Sequence, residues 1–198
     1  MPRSMTSPSK VPAKDVDIFW AEIAACDHCV QIYENDDVFF SALQAYVSAG
    51  LRQGEAVILI ATSAHLKLLE ARLAHDDVDI PAAIARDQYI ALDAEDAIKT
   101  FMDDDWPDEA RFNAFVSMLL ARVRPKYPKV RAFGEMVALM WAKGQVRATI
   151  QLEHCWARLC KSEQFSLFCA YPRSGFVQDA QESIMDVHLA HSLVFNAA

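Results

Sequence analysis

Short, almost wholly apolar runs, each followed by a stretch with helical spacing, restrict this fold most. Residues 55–62 read EAVILIAT, rich in β-branched side chains and too short for a buried helix. Such a run reads as a parallel strand covered on both faces. Tyr89 to Leu92, Val130 to Phe133 and Phe165 to Tyr171 are further strand candidates, the last stopped by Pro172. His28 to Tyr33 alternates only in part and reads as an edge or half-covered strand.

Between these runs, apolar residues recur at helical spacing. Phe39, Leu43, Tyr46, Val47 and Leu51 form one stripe, opened by Asn35 or Asp36 as cap and punctuated by Gly50 and Gly54. Leu66, Leu69 and Leu73 form a second, behind Thr62 or Ser63. Asp93 caps a helix with Ala97, Ile98 and Phe101. After an acidic loop at Asp103 to Trp106, Asp108 opens one with Phe112, Phe115, Val116, Leu119, Leu120 and Val123 inward. A long helical stretch runs from about Met136 to Cys160, with Gly144 as a break. Residues 179 to 194 offer a last helix, and Ile18, Phe19, Ile23 and Ala24 a short first one. The alternation predicts a three-layer α/β fold, a mainly parallel sheet flanked by helices. Residues 1–14 read as a disordered tail and 15–198 as one domain, since no linker or repeat divides them.

Composition narrows the function. Net charge is −8, which argues against nucleic acid and anionic lipid as partners. The longest apolar runs, Ala56 to Ala61 and Met136 to Ala142, fall far short of a membrane span. The N-terminus has no apolar stretch of a secretory signal. Five cysteines, mostly among apolar residues, read as reduced thiols of a cytoplasmic protein.

Ligands of α/β sheets bind outside the carboxyl ends of strands. The residues there are Tyr33 and Glu34, Thr62 and Ser63, Asp93, Gly134 and Glu135, and Tyr171. A phosphate-cradling loop would need glycines followed by Lys and Ser or Thr. After EAVILIAT the chain instead reads Ser63-Ala64-His65-Leu66-Lys67, without glycine. Nucleotide hydrolysis is therefore not expected, and helix capping is the ordinary role of Thr62 and Ser63. Glu135 is a candidate ligand contact or general base, or the partner of Arg131 or Arg111. Cys26-Asp27-His28-Cys29 has the spacing of metal and redox sites, which His154, Cys155 and Cys160 could complete. Cys155 and Cys160 would lie on different faces of a helix, so buried free thiols are the better reading and no metal is expected. His188 and His191, at i and i+3, share a helix face but lack a further ligand. Trp141 and Trp156 read as core. No nucleophile elbow, HExxH or dinucleotide glycine motif is present, so no enzyme is expected.

An ordered set of segments from His28 to about Phe176 resembles one known family. They are His28-x-x-Gln31-x-Tyr33, Gly50-Leu51-x-x-Gly54-Glu55, Ala61-Thr62, Arg111-Phe112, Arg131 to Val137, Leu152-Glu153-x-x-Trp156 and Leu167 to Pro172. His191-Ser192 looks like the C-terminal end of the same pattern. The chain resembles the MEDS domain, a sensory module of methanogen and methylotroph regulators, including the dichloromethane-responsive repressor type. The resemblance implies a RecA-like sheet related to circadian-clock-type ATPases but without a working P-loop. It implies sensing of small organic molecules such as simple hydrocarbon derivatives, with no cofactor specified. It also implies a signalling partner such as a histidine kinase or transcription regulator. No output module is read in this chain, so the signal is expected to pass through a partner or a homo-oligomer. The expected ligand-binding residues are Tyr33, Thr62, Arg131, Glu135, Glu153 and Tyr171, with His28 and Ser63 as additional candidates. A nucleotide-binding domain without hydrolysis and a pure protein-interaction module are the alternatives.

Overall fold

The computed structural model describes residues 9–11, 19–20, 22–76, 78–176 and 180–195, with the side chains of 9–11 and 180–183 left aside. The chain order is β1 (Ser9–Val11), β2 (His28–Tyr33), α1 (Asp36–Arg52), β3 (Ala56–Ala61), α2 (Ser63–His75), α3 (Ile80–Ala85), β4 (Tyr89–Asp93) and α4 (Ala94–Phe101). It continues with β5 (Met102–Asp103), β6 (Trp106–Pro107), α5 (Glu109–Val123), β7 (Val130–Gly134), α6 (Met136–Ala142), α7 (Val146–Glu163), β8 (Ser166–Pro172), α8 (Ala180–Leu189) and β9 (Leu193–Phe195). One seven-stranded sheet has the order β1-β9-β2-β8-β7-β3-β4, with every pairing parallel. This is the expected three-layer α/β architecture.

The helices start where short polar side chains can accept free backbone N–H groups. Asn35 accepts from Val38, Thr62 from His65, Asp93 from Glu95 and Asp96, and Asp108 from Arg111. The stretch from Met136 to Cys160 breaks at Gly144, whose φ of +77° suits glycine and ends α6 before α7 begins.

Several elements differ from the sequence reading. β2 is an interior strand between β9 and β8, not an edge, because β1 and β9 extend the sheet beyond it. Its Gln31 is buried all the same, which is why strict alternation misleads. Ser9–Val11 of the expected tail pairs in parallel with β9; the rest of residues 1–14 lies outside the described residues. The last helix stops at Leu189, and Leu193–Phe195 adds to the sheet. α3 was not foreseen, and the acidic loop is a small hairpin of β5 and β6. Of the expected first helix, Phe19, Trp20 and Glu22 are helical, Ile23 and Ala24 are not, and Ile18 lies outside the described residues.

The core has two halves, one on each face of the sheet. α1, α2 and α3 cover the first with Phe39, Leu43, Tyr46, Leu69, Leu73 and Ile80. α4 to α8 cover the second with Phe101, Phe112, Val116, Trp156 and Val187. All of β3 is buried, as a strand packed on both faces must be.

This winding positions the site. The chain leaves β2 and β3 toward the first face, and β4, β7 and β8 toward the second. Neighbouring strands whose exits diverge open a crevice at their carboxyl ends. Such crevices flank β3, toward β7 and toward β4, and another lies between β2 and β8.

Candidate functional site

The two crevices beside β3 are closed by carboxylates of the chain itself. Glu135, directly after β7, accepts the Thr62 N–H at 2.8 Å. Asp93, at the end of β4, accepts the Ser63 N–H at 3.2 Å and the Ser63 hydroxyl at 2.7 Å. Those bonds, with the N–H groups of Glu95 and Asp96, hold the Asp93 carboxyl below its usual range. A helix N-terminus attracts anions through its unpaired N–H groups and dipole. At α2 two built-in carboxylates already take that place.

Glu135 has a second partner. His65, on the first turn of α2, brings Nδ1 to 2.7 Å from Glu135 Oε1. The close Glu135 carboxylate raises the His65 pKa above the usual imidazole range, against the opposing effect of burial. The imidazole is 27% exposed and the carboxylate 8%, so the pair stands at the mouth of the crevice. Phe39 and Phe40 flank the imidazole with centroids at 5.6 and 5.2 Å, and Tyr33 stacks on Phe39 at 4.8 Å. Burial, then the Glu135 charge, pushes the Tyr33 phenol well above its ordinary pKa. The result is a polar group of phenol, imidazole and carboxylate against an aromatic wall, at the ends of β2, β3 and β7.

The pair has a pH signature. Because folding raises the His65 pKa, its stabilisation is complete below the unfolded value of 6.5 and is lost as pH rises through the folded value. The stability advantage of the wild type over His65→Gln should therefore be larger near pH 6 than at about pH 8.5. Urea unfolding of both proteins across that range measures it. A difference that is flat or grows toward alkaline pH contradicts the pairing.

The six expected binding residues fall into three places. Tyr33, Thr62 and Glu135 meet in the group above, joined by His65, Phe39 and Phe40, which sequence reasoning did not select. Ser63 lies beside them, held by Asp93. Arg131 lies elsewhere, fully buried under α1, where it bonds Glu55 and the carbonyl oxygens of Trp20 at 2.7 Å and Tyr46 at 3.3 Å. Glu135 thus pairs with neither Arg131 nor Arg111. Arg111 interacts with Asp108 instead.

Glu153, Tyr171 and His28 form a second group, buried beneath α7 and α8 on the opposite face. The Tyr171 hydroxyl donates to Glu153 Oε1 at 2.5 Å, and His28 Nε2 lies 3.3 Å from Glu153 Oε2. Cys169 and His191 complete the group, and neither was expected there. His191 is not on the helix face of His188, because α8 ends at Leu189. Burial holds both imidazoles neutral, with the pKa values of His28 and His191 lowered to about 3. The Cys26-x-x-Cys29 pair does not join this group. Cys29, Cys155 and Cys160 are buried elsewhere, His154 is exposed, and all five thiols are free.

No curated protein matches this chain. A family model does match, over residues 27–189, and it spans every strand but the two at the β1–β9 edge. That model describes MEDS, the methanogen/methylotroph, DcmR sensory domain, and the chain belongs to this family of signal-transduction domains.

Proposed function

We propose that the chain is a non-enzymatic sensor that binds a small organic molecule, a simple hydrocarbon derivative, at the carboxyl ends of β2, β3 and β7. The carrying observation is the His65–Glu135 pair. It is an ionisable, partly exposed pair at a crevice where α/β sheets take ligands, backed by aromatic rings. A small polar ligand can hydrogen-bond the imidazole, the carboxylate or Tyr33 and lay its apolar part on Phe39 and Phe40. A ligand that displaces Glu135 from both His65 and the Thr62 N–H would free the first turn of α2. Ligand would favour one state through its higher affinity for it. The signal would pass to a partner protein such as a histidine kinase or transcription regulator. A cytoplasmic setting fits the five free thiols. Among the described residues no helix is long and apolar enough to cross a membrane. Nucleotide binding is the weaker reading, because Glu135 and Asp93 already occupy the N-terminus of α2.

A thermal-shift screen with one- to three-carbon alcohols, aldehydes and halocarbons tests this. A true ligand at 100 times its Kd should add about 2.7 kcal/mol of stability. Glu135→Gln and Tyr33→Phe should each weaken its affinity. Unchanged affinity in both variants would place the site elsewhere.

A further inference from the structure

The buried group on the second face has the wrong chemistry for a purely structural network. His191 donates Nδ1–H to the Val187 carbonyl at 2.6 Å, so its Nε2 carries a lone pair. That lone pair is fully buried, makes no hydrogen bond among the described residues, and lies 3.4 Å from a carboxylate oxygen, Glu153 Oε2. His28 brings Nε2 to the same oxygen at 3.3 Å, and Cys169 Sγ lies 3.7 Å from it and 3.4 Å from His28 Nε2. Cys169 Sγ–H can donate to that oxygen, but the His191 Nε2 and Glu153 Oε2 acceptors face each other, where side chains from β2, β8, α7 and the turn after α8 converge. A buried polar atom without a partner is costly, and one that faces a second acceptor more so. A cation at the centre removes the conflict.

We propose that His28, Glu153, Cys169 and His191 bind one divalent transition-metal ion of the zinc type. The four ligand atoms lie within 4.8 Å of one another. A tetrahedral zinc site with nitrogen, oxygen and sulfur ligands has ligand-to-ligand edges of about 3.3–3.8 Å, from its bond lengths of roughly 2.0–2.3 Å. Four of the six edges, at 3.3, 3.4, 3.4 and 3.7 Å, fall in that range, and the two from His191 to His28 and Cys169 stay within 4.8 Å. Two neutral imidazoles, one carboxylate and one thiolate balance a divalent charge, which suits a site sealed from water. Mixed imidazole, thiolate and carboxylate ligation suits zinc and disfavours magnesium or calcium.

The surrounding bonds are those a metal site needs. The Val187 carbonyl fixes the His191 tautomer, and Tyr171 holds the other Glu153 oxygen. Ser192 bonds the His28 backbone in both directions, its hydroxyl accepting from His28 N and its N–H donating to His28 O, each at 2.8 Å. This keeps His191 beside His28, with ring centroids 4.0 Å apart. Four protein ligands leave no open position, the pattern of structural rather than catalytic zinc. The ion would staple the turn after α8 to the middle of the sheet.

The test uses the full chain, expressed in zinc-supplemented medium and purified without chelator. Metal analysis should find about one zinc per chain. Folded Cys169→Ser and His191→Gln should lose most of it, and Tyr171→Phe should weaken affinity by about 10–100-fold. Wild-type chain grown with cobalt should show a thiolate-to-cobalt charge-transfer band and tetrahedral visible bands, which needs no variant to fold. Folded wild type without zinc or cobalt, or metal undiminished in folded Cys169→Ser and His191→Gln, overturns the proposal.

Discussion

Arg131→Met should destabilise the fold by about 3–5 kcal/mol, the cost of leaving one partner of a buried ion pair alone. Arg131 is fully buried, and its guanidinium joins Glu55, the Trp20 and Tyr46 carbonyls and Gln53. It also lies 5.3 Å from the Tyr46 ring centroid. Methionine fills much of the volume but supplies no donor, so a carboxylate and two carbonyls lose their partner inside the core. For a chain of this length the melting temperature should fall by about 6–20 °C. Replacing Glu55 by Leu in the same protein should restore part of the loss, because it removes the stranded charge. The close packing at this point is fixed by Gly50, where an added Cβ would meet Arg131 Cδ at 2.8 Å. Denaturant unfolding of the single and double variants measures the effect. A loss below 1 kcal/mol would mean that Arg131 is not held as described. Such a result would also reopen Arg131 as a binding residue.

Trp156→Ala should cost a similar amount, about 3–5 kcal/mol, for a different reason. Trp156 is fully buried on α7 and meets Phe112 edge-on at 4.8 Å and Phe165 at 6.3 Å. It lies over Gly134, where a built Cβ would stand 3.4 Å from the ring, so strand and indole are in direct contact. Alanine leaves a cavity between α7, α5 and the sheet. Among the described residues the indole N–H has no hydrogen-bond partner. Trp156→Phe removes that unpaired donor while keeping most of the apolar surface, so it should cost less than half as much as alanine. Equal losses in both variants would show that the indole N–H is paired.

Much of the sheet was legible because β3 and β8 are short apolar runs, and EAVILIAT is the clearest case. β9 was not legible. Leu193 to Phe195 is three residues long and directly follows a helical pattern, so nothing local separates it from the helix. The same holds for β1, whose strand character comes from its pairing with β9. Part of the strand-end site was readable, since Tyr33, Thr62 and Glu135 sit where strand ends were expected. His65 was passed over because one turn into a helix it looks like a surface residue, and only the β7–β3 pairing brings Glu135 to it. Arg131 illustrates the opposite error. Its place near Gly134 and Glu135 suggested a shared site, but it lies four residues before Glu135, near the start of β7, where it enters the core under α1. The buried group beneath α8 could not be assembled from spacing. His28 and Cys169 are 141 residues apart and meet through the β2–β8 register.

The most direct test of the sensor reading is a backbone-amide NMR titration of the full chain with the one- to three-carbon compounds. The Thr62 and Ser63 N–H groups bond Glu135 and Asp93, so they report any ligand that disturbs the crevice. The account predicts that a binding compound shifts the amides of Tyr33, Thr62, Ser63, His65 and Glu135 first and in proportion to occupancy. Saturable shifts confined to residues away from the ends of β2, β3 and β7 would contradict it.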